Sequence, residues 1–121
     1  MNEGTAYGLN AFIDPTTQMT SDHLSSAMIE VAEWVGDSAG CFLGHVKMAV
    51  TFCERTITLN LTDLRMGVEH HGSLPEGVRA DIRFMAAVVD VEHDELAEKM
   101  RDSLLTKGFK LSNKNIIRLE G

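Results

Sequence analysis

No stretch of this chain approaches the roughly 18 consecutive apolar residues of a membrane-spanning helix, which excludes a helical bilayer span. The opening residues Met1-Asn2-Glu3-Gly4 lack the basic and apolar regions of a signal peptide, so a cytoplasmic location is expected. Basic residues are scarce: 11 Lys and Arg stand against 18 Asp and Glu, a formal net charge of −7. They are dispersed rather than gathered in a patch, and an acidic chain repels phosphate backbones, so nucleic acid is not expected as a partner. Low-complexity tracts are absent, which argues against disorder. Also missing are Cys-x-x-Cys, His-Glu-x-x-His and a Gly-Lys-Ser/Thr phosphate loop, and the glycine-bearing stretch from Gly36 to Gly44 joins a helix to a strand rather than a strand to a helix. No metal or cofactor is therefore expected. What remains is an ordinary globular composition, 44% hydrophobic and 24% charged over 121 residues. That is enough for one domain, 1–121, to bury about two-thirds of its unfolded surface.

The clearest pattern runs from Cys41 to Leu64. Phe42, Gly44, Val46, Met48, Val50 and Phe52 alternate with residues that include His45, Lys47 and Thr51. Ile57, Leu59 and Leu61 then alternate with Thr56, Thr58, Asn60 and Thr62. Period-2 alternation on both sides of a short break predicts a hairpin with one apolar face. A two-residue loop at Glu54-Arg55 or a four-residue loop from Cys53 to Thr56 pairs Phe52 with Ile57, Val50 with Leu59 and Met48 with Leu61. The four-residue loop is preferred, because Glu-Arg is poor chemistry for a primed turn that needs positive φ. Cys41 and Cys53 then bracket one strand. Twelve steps at about 3.3 Å separate them by roughly 40 Å, so two reduced thiols are expected rather than a disulfide.

Around the hairpin, Thr5 to Ile13 reads as a short edge strand weakened by Gly8 and Asn10. Thr20 reads as a helix N-cap, followed by the stripe Leu24, Met28, Val31 and Val35 and a stop at Gly36 or Gly40. Residues 63–77 hold three glycines and a proline and predict turns, with Met66 to His70 able to extend or add a strand. Residues 78–91 predict a third long strand that is apolar on both sides from Met85 to Val89, as if a bulge, a helix or a second subunit lay there. A second helix begins near His93 or Asp94 with the stripe Leu96, Met100 and Leu104, places Lys107 in its last turn and ends at Gly108. Phe109 to Leu119 predicts one strand, or a small hairpin turning at Asn113-Lys114-Asn115.

The expected fold is α+β, a mostly antiparallel sheet of four to five strands in the order β-α-β-β-β-α-β, with both helices on one face. That order exceeds the ferredoxin-like βαββαβ order by one strand.

Candidate chemistry falls on two places. The hairpin's polar face presents His45, Lys47, Thr58, Asn60 and Thr62, together with Leu43, Ala49 and Leu64. Exposed apolar area of that kind costs roughly 25 cal/mol per Å², so partial cover by a ligand or a second subunit is expected there. His70 and His71, beside Glu69 and between glycines, are the candidates for acid–base work, since histidine titrates near pH 6.5. The leading reading is a small cytoplasmic ligand-binding or self-associating module, expected to dimerise through the hairpin's polar face or through the doubly apolar end of residues 85–89. The rival is a small enzyme with His70 or His71 as base and His45 or Lys47 orienting a substrate.

Overall fold

The computed structural model describes residues 3–112. Its elements are β1 (Gly4–Ile13), α1 (Thr20–Ala39), β2 (Gly44–Phe52), β3 (Arg55–Leu61), β4 (Glu69–His71), β5 (Ala80–Val89), α2 (His93–Leu105) and β6 (Lys110–Leu111). The six strands form one sheet in the order β4-β3-β2-β5-β1-β6, with every neighbouring pair antiparallel. The fold is α+β, as expected, with one strand more than the expected range. The additional strand is β4, three residues whose Glu-His-His sequence carries no apolar alternation. Two split βαβ units make up the rest: β1-α1-β2 encloses β5, and β5-α2-β6 encloses β1. This is the ferredoxin-like plan, with β3 and β4 added outside β2.

Alternation dictates which side of each strand is buried. Val46, Met48 and Val50 of β2, Ile57, Leu59 and Leu61 of β3, and Ile82, Phe84, Ala86 and Val88 of β5 share one cluster with Leu24, Met28, Val31 and Val35 of α1 and Leu96, Met100 and Leu104 of α2. Both helices therefore cover the same face of the sheet. Lys107 joins them at the rim, donating to the Glu30 carboxylate and to the Ser103 carbonyl.

Several local expectations are corrected. The β2–β3 turn is two residues, Cys53 and Glu54, both left-handed with φ of 48° and 63°. Val50 consequently pairs with Ile57, Met48 with Leu59 and Val46 with Leu61, two residues away from the expected register. A primed turn matches the twist of the strands, and seven paired residues offset the roughly 1–3 kcal/mol that each left-handed non-glycine costs. β1 is not an edge strand, since it pairs with β5 along all ten residues and with β6 at Ala11 and Phe12. β5 contains no bulge: its pairing with β1 is continuous from Ala80 to Val89.

At α1, Met19 occupies the N-cap and Thr20 reaches backwards, its hydroxyl accepting from the Thr17 N–H at 2.8 Å. Gly40, at φ 94°, ends that helix. Lys107 lies beyond α2, which Glu92 caps by accepting from the N–H groups of Asp94 and Glu95. The stretch from 72 to 79 is stitched to buried Thr16, whose hydroxyl donates to the Pro75 carbonyl at 2.7 Å and accepts from the Val78 N–H. The expected turn at Asn113-Lys114-Asn115 and the segment to Leu119 lie outside the described residues.

Candidate functional site

The face of the sheet opposite the helices is uncovered among the described residues, and the registers fix which side chains share it. Across the middle run Thr58 of β3, Ala49 of β2, Arg83 of β5 and Asn10 of β1, with His71 of β4 beside Thr58. One row towards the start of β2 run Glu69, Asn60, Lys47, Met85 and Gly8. One row the other way lie Thr56, Thr51, Asp81, Phe12 and Lys110. His45 faces Ala87, which faces Ala6. The shift of register changes two expected neighbours: Lys47 faces Asn60 rather than Thr62, and Thr51 faces Thr56 rather than Thr58.

Three of the five expected residues, Lys47, Thr58 and Asn60, thus stand on the central part of this face, His45 stands nearer one end, and Thr62 lies just beyond the end of β3. The sequence singles out the other half of the surface as a separate stretch and does not show that the two adjoin. Because β5 lies directly beside β2, the doubly apolar stretch Met85 to Val89 and the hairpin's polar side are one surface, with Met85 and Ala87 half-buried beside Lys47 and His45. The signal for Arg83 was present in the alternation of residues 80–84. Sequence alone does not reveal that this strand adjoins the hairpin. A shallow depression of about 340 Å³ opens on this face, lined by Asn10, Ala49, Thr51, Asp81, Arg83 and Ser112.

Charge on the face is arranged in two ways. Arg79 pairs with Asp81 at 3.0 Å and lies over the Phe12 ring, 4.2 Å from its centre; the Asp81 carboxylate raises the Arg79 pKa. Lys47 and Arg83 have no carboxylate within ion-pair distance among the described residues. On the other layer, α1 carries Asp22, Glu30, Glu33 and Asp37 and no Lys or Arg.

The histidines do not converge. His71 lies on the open face, 3.7 Å from Glu69, while its neighbour His70 turns to the helix side. There His70 Nε2 meets Ser25 Oγ at 3.0 Å, in an exposed contact that fastens β4 to α1. A serine–histidine pair needs a third group to orient the base, and Glu69 is turned to His71 instead. His45 is four residues along and two strands across from His71, roughly 16 Å by strand geometry. His93 packs edge-on against Tyr7, with ring centres 5.6 Å apart. Among the described residues no three His, Cys, Asp or Glu side chains are grouped as a metal requires. Cys41 and Cys53 are both free and exposed.

No helix among the described residues is long and apolar enough to cross a membrane. Comparison of the chain with known protein families, with characterised proteins and with solved structures finds no match.

Proposed function

We propose that this chain is a self-associating module of the cytoplasm, in which two copies stack the open faces of their sheets. The observation that carries this reading is the merger of two partly apolar stretches into one face. Ala49 and Met85 lie near its centre and Ala87 nearer one end, with Ala6 and Gly8 on the adjoining strand and Lys47, Arg83, Asn60, Thr58 and Asp81 around them. Strands exposed to water on one side normally alternate cleanly, and β5 does not. Four long strands spaced about 4.8 Å apart and about 26 Å in length offer on the order of 500 Å² per copy. A face-to-face pair then buries about 1,000 Å², the lower bound for a specific interface. Sheets stacked about 10 Å apart leave room for the side chains of the two faces to interdigitate. Two exposed free thiols suit a reducing compartment. The dispersed histidines give acid–base catalysis no common centre.

Size-exclusion chromatography with light scattering tests the reading. The expected mass at micromolar concentration is twice 13.3 kDa. Ala87→Glu places a carboxylate among the apolar residues of this face and returns the protein to a monomer. Leu105→Glu, at an exposed position on α2, leaves the dimer intact. A monomeric wild type, or a dimer that tolerates Ala87→Glu, refutes the stacked pair.

A further inference from the structure

Lys47 and Arg83 are diagonal neighbours across β2 and β5, on the same face. Diagonal Cα atoms of this kind lie about 7–8 Å apart, within reach of both long side chains. Between them the position directly opposite Arg83 is Ala49, whose methyl group leaves space above the sheet. Hydroxyl groups border that space: Thr58 is opposite Ala49, and Thr51 follows it on the same strand. The depression that opens beside Arg83 includes Thr51, Ala49, Asn10 and Asp81, and Lys47 stands outside its lining. Three other cations are already held by carboxylates. Arg65 is held by Asp63 at 3.1 Å, Arg79 by Asp81 at 3.0 Å, and Lys107 by Glu30. Asp81 is the acid nearest to Arg83 along its own strand, and it is engaged by Arg79.

From this arrangement we infer that the Lys47–Arg83 pair binds a phosphate group, and that the bound phosphate strengthens association of the two stacked sheets. The inference rests on the stacked pair proposed above. Bringing two such faces together places four cations in a layer with little water, where their repulsion is less screened than at a free surface. A dianionic oxyanion between them removes that repulsion. The arginine fork supplies two parallel N–H donors, the lysine a point charge, and the threonine hydroxyls further donors, a set suited to phosphate oxygens. The space above Ala49 lies on the open face between the two cations, so both inorganic phosphate and the phosphate of a small monoester can reach them.

Sedimentation equilibrium of the full chain in sodium phosphate, in glycerol 3-phosphate and in sodium chloride, at matched ionic strength, tests the inference. The dimer constant is expected to tighten about tenfold or more in phosphate over chloride. Glycerol 3-phosphate reproducing that gain assigns the site to phosphomonoesters as well; a gain with inorganic phosphate alone assigns it to the free ion. Lys47→Met and Arg83→Met, both at exposed positions, are expected to dimerise equally in all three salts, with unchanged circular dichroism. A wild-type dimer of equal strength in all three salts overturns the inference and leaves the stacked pair standing. A monomer in every salt overturns both.

Discussion

Replacing Gly44 by alanine puts a methyl group where the first residue of β2 meets the backbone of β5. A Cβ at that position falls inside contact distance of the Ala87 carbonyl oxygen and 2.8 Å from the Val88 Cα. Both are backbone atoms of a central strand, so neither can swing aside as a side-chain end would. The backbone of Gly44 is also left-handed, at φ 131°. Alanine at a positive φ of this kind costs about 1–3 kcal/mol. Retreat of β2 from the clash sacrifices the pairing of Gly44 with Val88, worth about 1 kcal/mol per ladder hydrogen bond. Together these give about 2–4 kcal/mol, or a fall in Tm of about 8–16 °C at roughly 4 °C per kcal/mol for a domain of this size. Gly40 provides the internal control. Its φ is 94°, but a Cβ there meets nothing within 4 Å, so Gly40→Ala pays strain alone and loses about 1 kcal/mol. Urea unfolding of both variants decides the matter. If Gly44→Ala is no less stable than Gly40→Ala, the close approach of β2 to β5 is not what fixes glycine at this position.

Two further outcomes follow from hydrogen bonds at the loops. Thr16→Val keeps the shape of a buried residue while removing its bonds to the Pro75 carbonyl and the Val78 N–H; a loss of about 1–3 kcal/mol is expected, with faster hydrogen exchange at the Val78 amide, and unchanged exchange would contradict the stitched loop. Asp63 accepts from the side chain and the backbone N–H of Arg65, which holds its carboxyl below the ordinary range near about 3.9. Its stabilising contribution is therefore complete above that ordinary value and disappears as pH falls through the lower folded one, and an NMR titration should find the Asp63 midpoint moving upward in Arg65→Gln.

The sequence resolved most of this fold because period-2 alternation identifies a buried face without knowledge of its partner. It gave β2, β3 and β5 their sidedness, and helical spacing did the same for α1 and α2. What it did not supply was anything invisible to a period of two. Shifting the hairpin by two residues returns every apolar side chain to the same face, so the pattern is silent between the expected register and the observed one. The choice was made by the turn, where Cys53 and Glu54 take left-handed conformations that their side chains do not favour. β4 has three residues and no apolar signal, and its place is set by pairing Leu59 with His70 and Asn60 with Glu69. β1 looked weak because of Gly8 and Asn10, yet both lie on the open side, while Leu9 and Ala11 face the core. As for the candidate site, Lys47, Thr58 and Asn60 were legible from the hairpin. Arg83 joined them only through the long-range adjacency of β5 and β2.

That adjacency also constrains how the protein can come into being. Gly4 pairs with Val89, so the N-terminal strand waits for about 85 further residues before its full-length neighbour exists. At ribosomal speeds of roughly 5–20 residues per second the wait lasts about 4–17 s. Over the same interval the hairpin of β2 and β3 emerges with one long backbone edge unsatisfied, and the insertion of β5 between β1 and β2 satisfies both at once. Local helices form quickly, but closure of the sheet is a late, long-range event, and the nascent chain must be kept from pairing with its neighbours on a polysome until then.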